Sequence, residues 1–67
     1  MEFYTLIKAR RSLLGLTQQD LADYSGLSLR LIKQIEAGNG NPSMSTLSKI
    51  ANVLGLEIVL RVKTVTK

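Results

Sequence analysis

Three side chains in the stretch "SLRLIKQIEA", residues 28–37, have the types and the spacing for molecular recognition. Arg30, Lys33 and Gln34 stand three and four positions apart, so an α-helix would present them together on one face. We call this set the polar face. It offers positive charge and hydrogen-bond donors, which suit contacts with phosphates and base edges. The plainer interpretation of the same residues is an ordinary solvated helix face.

Catalytic chemistry has little support in the composition. The 67 residues include no histidine and no cysteine, which excludes a disulfide and an ordinary zinc or haem site. A nucleophile–base pair would have to come from serine, aspartate, glutamate or lysine, and none of these cluster at a suitable spacing. We therefore expect a binding protein that is not an enzyme and that uses no metal or cofactor.

The charge balance favours a polyanionic partner. Nine lysines and arginines against five acidic residues give a net charge of +4. The aromatic residues Phe3, Tyr4 and Tyr24 are too few to build a stacking platform for single-stranded nucleic acid. A chain of this length forms one domain, and such a small domain gains from an extra stabiliser such as oligomerisation.

Four helices are predicted to position these side chains. Their expected ranges are residues 3–14, 17–25, 28–37 and 43–54. Thr17 and Asp20 form a short capping box at the start of the second helix, and Ser28 and Ser43 cap the next two. In the first helix the apolar stripe is expected to be Leu6, Ala9, Leu13 and Leu14, with Ile7 beside it. Arg10 is expected on a solvated face of that helix.

Residues 17–35 meet the steric requirements of two crossing helices joined by a tight turn. Ala22 is small where the third helix must approach the second, and Gly26 tolerates a positive φ in the turn. Ile32 and Ile35 then pack the third helix inward. This pattern is typical of a helix-turn-helix, and it leaves the polar face outside.

The end of the chain follows a different periodicity. In "LEIVLRVK", residues 56–63, apolar and polar side chains alternate as in a half-buried β-strand. We call this segment the tail. The sequence offers no second convincing strand, whereas another copy of the chain would supply one by two-fold symmetry. The predicted dimer interface comprises Val53, Leu56, Ile58, Leu60 and Val62. The alternatives are a strand added to a different protein, such as a toxin, and a helical extension.

The segment "LTQQDLADYSGLSLRLIKQIEAGNGNPSMSTLSKIANVLG" resembles the Cro/cI-type helix-turn-helix family, also called the XRE family. It keeps, in order, Leu-Thr-Gln-x-x-Leu-Ala, Gly-x-Ser, Ile-x-x-Ile-Glu-x-Gly, Asn-Pro-Ser and Leu-x-x-Ile-Ala-x-x-Leu-Gly. The resemblance covers residues 7–55. The tail is similar to that of a narrower group, the HipB-type antitoxins, whose last strand pairs with its copy in a dimer.

The resemblance implies an all-α fold with two parts. Residues 1–55 would form a four- to five-helix, lambda repressor-like helix-turn-helix domain. Residues 56–67 would form a C-terminal β-strand, which pairs across a homodimer, and a short end.

The resemblance also implies roles for individual residues. Gln18 matches a glutamine that grips a DNA phosphate, and residues 28–34 match the recognition helix of the major groove. Within it, Arg30 suits a bidentate contact with guanine and Gln34 one with adenine. The implied DNA-binding set is Gln18, Ser28, Leu29, Arg30, Lys33, Gln34, Asn39 and Asn41. Leu29 departs from the usual polar residue, and it could press on a thymine methyl group, shield the phosphate backbone or do neither.

A second implied set is structural. Arg11 and Glu36 match a pair that forms an internal salt bridge in the family. With the cap and the hinge described above, the set is Arg11, Thr17, Ala22, Gly26, Ile32, Ile35 and Glu36.

These features together predict a sequence-specific double-stranded DNA-binding transcriptional repressor, acting as a homodimer on a palindromic operator. The tail favours the antitoxin of a HipA/HipB-like toxin–antitoxin operon, which represses its own operon and binds a HipA-like kinase toxin. One alternative is a stand-alone phage-type repressor or a restriction-modification controller. Another, of a different class, is a protein-interaction adaptor without DNA binding. No signal peptide or spanning segment is recognisable, so the expected location is the cytoplasm, at the bacterial nucleoid when DNA is bound.

Overall fold

A computed structural model describes residues 2–63 of the chain, and these form four α-helices joined by short connections. The helices are α1 (Phe3–Leu13), α2 (Gln18–Ser25), α3 (Leu29–Glu36) and α4 (Met44–Leu54). Within this range no strand is formed, and none of the helices has the length and apolar character needed to cross a bilayer. The predicted all-α class is confirmed.

Local sequence sets where the last three helices begin. The Thr17 hydroxyl accepts a hydrogen bond from the Asp20 backbone N–H at 2.9 Å, and the Asp20 carboxylate accepts one from the Thr17 N–H at 2.9 Å. This reciprocal pair is the capping box expected from the sequence. Ser28 and Ser43 cap α3 and α4 more simply, because each hydroxyl accepts from the backbone N–H three residues later.

The core is built where α2 packs against α3 and α4, and α1 closes it by packing against α3 and α4. Leu21, Ile32, Ile50 and Leu54 are completely enclosed. Each side chain of this kind contributes about 1.5–3 kcal/mol when it leaves water, so these four residues dominate the stability of the small domain. The inward position predicted for Ile32 is confirmed.

The apolar stripe predicted for α1 is wrong. Its members Leu6, Ala9, Leu13 and Leu14 are all exposed, whereas the residue placed at the flank, Ile7, is buried. The reason is that Ile7 and Arg11 lie on one face, four residues apart, and Arg11 reaches an acidic side chain of α3. The ion pair orients α1, and the prediction considered apolar spacing alone.

Arg10 is also placed differently from its prediction. Its side chain is half-buried, and its Nε donates a hydrogen bond to the Leu54 carbonyl at 2.8 Å. The last carbonyls of a helix lack partners within the helix, and an arginine can supply one. Arg10 therefore joins α1 to the C-terminal end of α4.

The tail leaves α4 through Gly55, and the Leu56 N–H donates to the Ala51 carbonyl at 2.9 Å. Leu56 and Ile58 then line an apolar groove of about 220 Å³ between α1 and α4. Beyond them the described part of the tail forms neither helix nor strand within the single chain. Its pairing with a second copy stays a prediction, and the rest of the predicted range, residues 64–67, lies outside the described residues.

Candidate nucleic-acid interface

The connection between α2 and α3 is only three residues long, Gly26, Leu27 and Ser28. Gly26 has a φ of 75°, a left-handed conformation in which a residue with a Cβ is strained. The N–H groups of Gly26 and Leu27 both donate to the Ala22 carbonyl, at 3.0 and 3.1 Å, which ends α2 and turns the chain. Ala22 is itself buried, as a close helix crossing requires.

The two sides of α3 differ sharply. Ile32 and Ile35 are buried in the core, whereas every residue of the polar face is exposed. Burial of one side fixes the rotation of the helix, because turning it would expose both isoleucines and bury charge. The α2–turn–α3 unit therefore presents Arg30, Lys33 and Gln34 outward on a rigid support.

Leu29, whose role the sequence left open, begins α3 and is half-buried. It packs against the core cluster, as Leu31 does on the same helix. This packing gives the leucine a structural function within the chain. A contact of its exposed part with a thymine methyl group or with the DNA backbone stays a prediction.

A buried ion pair anchors α1 to α3 beside this unit. Arg11 donates from Nε to one Glu36 oxygen at 2.7 Å and from its terminal nitrogen to the other at 2.9 Å. The side chains are only 12% and 3% exposed, respectively. Arg11 also donates to the Leu16 carbonyl at 2.7 Å, so one guanidinium joins α1, the α1–α2 connection and α3.

The hydrogen bond to Glu36 raises the pKa of Arg11, outweighing the opposite effect of its desolvation. A raised pKa in the folded state adds stability that is fully present below the pKa of free arginine and is lost only above it. The arginine end of the pair therefore keeps its charge, and its contribution to stability, throughout the neutral range.

Gln18, the first residue of α2, belongs to the same network. Its side-chain Nε2 donates to a Glu36 oxygen at 3.2 Å. This contact is not predictable from the sequence, because nothing in the spacing of residues 18 and 36 points to it. An amide nitrogen carries two hydrogens, so one donor remains available to another acceptor such as a phosphate.

The other residues of the predicted DNA-binding set lie at the two ends of α3. Ser28 is exposed at its N-terminus, and Asn39 and Asn41 are exposed in the loop that follows its C-terminus. The start of this loop is fixed by a close contact. The Tyr4 ring lies only 3.1 Å from where a Cβ on Gly38 would stand, so a larger residue there would displace the tyrosine.

The predicted dimer residues fall into two groups. Val53 and Leu56 are half-buried and pack against the core cluster. Ile58 is more exposed, and Leu60 and Val62 are exposed almost completely, at 90% and 97%. No part of residues 2–63 covers Leu60 and Val62, and the dimer interface stays a prediction.

The profile of the helix-turn-helix family matches residues 6–60. The chain belongs to the Cro/cI-type helix-turn-helix family. An HTH-type transcriptional regulator of Methanothermobacter thermautotrophicus is 42% identical over 53 residues, which are 79% of this chain and 77% of that protein. The immunity repressor of Bacillus phage phi105 is 42% identical over 52 residues, 78% of this chain but 36% of the repressor.

A solved structure gives the same result for the fold. This chain superimposes on a chain of a SinR protein/SinI protein complex with a TM-score of 0.77 and 28% sequence identity. The superposition covers 82% of this chain and 54% of the other. This chain thus spans about half of that neighbour and about a third of the phage repressor, so the similarity concerns the helix-turn-helix domain.

Proposed function

We propose that the chain is a sequence-specific repressor of transcription that inserts α3 into the major groove of double-stranded DNA. The proposal rests on the difference in burial between the two sides of α3. Ile32 and Ile35 are buried in the core, and the polar face is exposed to solvent. Binding to DNA requires an exposed row of donors on a rigid helix, and it requires no bond-making chemistry. The relatives described as transcriptional regulators and repressors support the same function.

The roles of the contact residues follow from their chemistry. Arg30 and Gln34 would read guanine and adenine, and Lys33 would contact a base or a phosphate. Gln18 would donate to a phosphate at the start of α2, held in place by Glu36. Ser28, Leu29, Asn39 and Asn41 would add backbone contacts, which position the domain without reading sequence.

Two copies are needed for specificity, because a single α3 reaches only a few base pairs. A two-fold dimer would present two recognition helices roughly 34 Å apart, one helical turn of DNA, on a palindromic operator. The apolar tail, with Val53 and Leu56 at its base, is the surface that would join the copies.

Selection of bound sequences from random duplex DNA tests the proposal. We expect a palindrome with half-site centres about one helical turn apart. Failure to enrich any sequence at moderate salt would refute sequence-specific binding and favour a protein-interaction adaptor.

Base contacts are tested on the selected operator with Arg30→Ala and Gln34→Ala. Each should weaken operator binding by about 1–3 kcal/mol and relax preference at particular base pairs, with little effect on random DNA. Lys8→Ala is the matched control, because it removes one exposed charge from α1. Equal losses on operator and random DNA would count against base readout by the polar face.

The kind of repressor is a separate question. The phage immunity repressor among the relatives supports the stand-alone phage-type role. The tail, by contrast, supports the role of a HipB-like antitoxin that binds a HipA-like kinase toxin, since an exposed apolar strand could also join a second protein. Co-expression with the neighbouring genes distinguishes them: a kinase that purifies with this chain identifies an antitoxin. In either role the protein would reside with the DNA in the cytoplasm.

A further inference from the structure

The tail has apolar side chains at alternate positions, and only the first two of them contact the rest of the chain. Leu56 and Ile58 line the groove between α1 and α4, together with Phe3, Leu6 and Leu47. Leu60 and Val62 continue the same apolar face of the tail by alternation, yet no part of residues 2–63 covers them. In a paired strand, the opposite face would carry Glu57, Val59, Arg61 and Lys63.

We infer that residues 55–63 pair antiparallel with the same residues of a second copy, in the register that places Val59 on the two-fold axis. The inference rests on the proposed dimeric repressor and adds the alignment of the two tails. In this register residue 57 faces residue 61 of the partner, 58 faces 60, and 56 faces 62.

Charge complementarity is the first reason for this register. It sets Glu57 opposite the partner's Arg61, and symmetry repeats the pair on the other side of Val59. Opposite charges directly across an antiparallel pair stabilise it, and like charges destabilise it. Both acidic groups of the paired strands thus gain a basic neighbour.

Completion of the apolar groove is the second reason. The register brings the partner's Leu60 beside Ile58 and the partner's Val62 beside Leu56, the two apolar tail residues that already line the groove. The most exposed apolar side chains of each copy are therefore delivered to the mouth of the other copy's groove. One pairing buries both unfinished surfaces at once.

Neighbouring registers satisfy fewer of these conditions. Centring on Leu60 would still give Glu57 a cation, the partner's Lys63, but it would set Val59 against the partner's Arg61 and bring a threonine, residue 64, to Leu56. Centring on Ile58 would set Glu57 against the partner's Val59 and leave Arg61 opposite a glycine.

Disulfide trapping tests the register, because the natural chain contains no cysteine. In Val59→Cys the two thiols of a dimer face each other, so mild oxidation should link the copies covalently within minutes. In Ile58→Cys or Leu60→Cys alone the two Cα atoms would be roughly 8 Å apart, beyond the reach of a disulfide of about 7 Å. Mixing those two variants should restore cross-linking, because residue 58 faces residue 60 of the partner.

The outcomes separate the register from the proposed function. Rapid linking of Leu60→Cys alone would overturn the register in favour of one centred on Leu60. A dimer that binds the palindrome while none of these variants cross-links would overturn strand pairing and leave the repressor intact. A monomeric protein that selects no palindrome would refute the dimeric repressor and the register together.

Charge reversal gives a second test without cysteine chemistry. Glu57→Arg should weaken dimerisation roughly tenfold, since two attractive pairs become repulsive. Adding Arg61→Glu to the same chain should restore most of the loss. No restoration in the double variant would contradict the pairing of residues 57 and 61, and unchanged circular dichroism would show that the helices stay folded in each variant.

Discussion

In the α2–α3 unit Leu21, Ile32 and Ile35 are enclosed by the chain itself, whereas in the tail Leu60 and Val62 are almost fully exposed. Within the single chain, α2 and α3 have side-chain caps, and an ion pair between Arg11 and buried Glu36 joins α1 to α3. In the tail, Leu56 packs against the core, but within residues 2–63 nothing covers Leu60 and Val62. The buried core and the exposed apolar side chains thus lie in different parts of the 67-residue chain, and assembly through the tail stays a proposal.

The largest effect should come from the enclosed region. Ile32→Ala removes a fully buried side chain and should lower the free energy of unfolding by about 2–5 kcal/mol, measured by denaturant titration at low protein concentration. The matched change in the exposed region, Val62→Ala, should alter it by less than about 0.5 kcal/mol. Equal effects of the two substitutions would contradict the contrast between the regions.

Loss of the ion pair between Arg11 and Glu36 should have the second-largest effect on stability. Arg11→Met leaves the Glu36 carboxylate buried without its cation, and we expect a loss of about 3 kcal/mol in the free energy of unfolding. The double variant Arg11→Met, Glu36→Leu removes both charges and should recover much of that loss. A single variant as stable as the natural chain would show that Glu36 does not depend on Arg11.

Leu60→Asp combined with Val62→Asp replaces the two exposed apolar side chains of the tail with charged ones. The helix content and thermal stability of the monomer should stay unchanged, because neither side chain is covered. Dimerisation should be lost in sedimentation experiments, and operator affinity should fall about a hundredfold, or roughly 2.7 kcal/mol. Leu13→Asp, an equally polar change at an exposed site of α1, is the control that should leave the dimer intact.

The smallest expected effect concerns Gln18, which is half-buried and bonded to Glu36. Gln18→Ala should weaken binding to operator and random DNA by a similar factor, about 1 kcal/mol, because phosphate contacts carry no sequence information. Gln19→Ala, which removes the neighbouring exposed amide, serves as the control in the same titration. A selective loss on the operator alone would assign Gln18 a part in base readout.

Much of the helical region could be predicted because the decisive interactions are local or periodic. The capping box joins Thr17 and Asp20, which stand three positions apart, and the turn at Gly26 depends on one backbone angle. The buried residues of α2, α3 and α4 recur at helical spacing. The polar face followed from the same spacing, since the side opposite Ile32 and Ile35 must point outward.

The errors arose where a distant contact decides the orientation. The apolar stripe of α1 was misplaced because Arg11 turns its own face toward Glu36, which lies on another helix. Arg10 was expected in solvent, yet it reaches the Leu54 carbonyl at the far end of the chain. The predicted strand is a harder case still, because residues 56–63 form no strand within the single chain and pairing with a second copy stays a prediction.

The Arg10–Leu54 contact lies where the tail departs from α4, so in a two-fold assembly it would constrain the angle at which the tail of each copy leaves the helical domain. In a two-fold assembly, recognition helices roughly 34 Å apart sit at the ends of levers about half that long. A rotation of about 6° at the departure point would then shift each helix by roughly 2 Å along the duplex. This one hydrogen bond, remote from the groove, would therefore tune the operator spacing that the protein accepts.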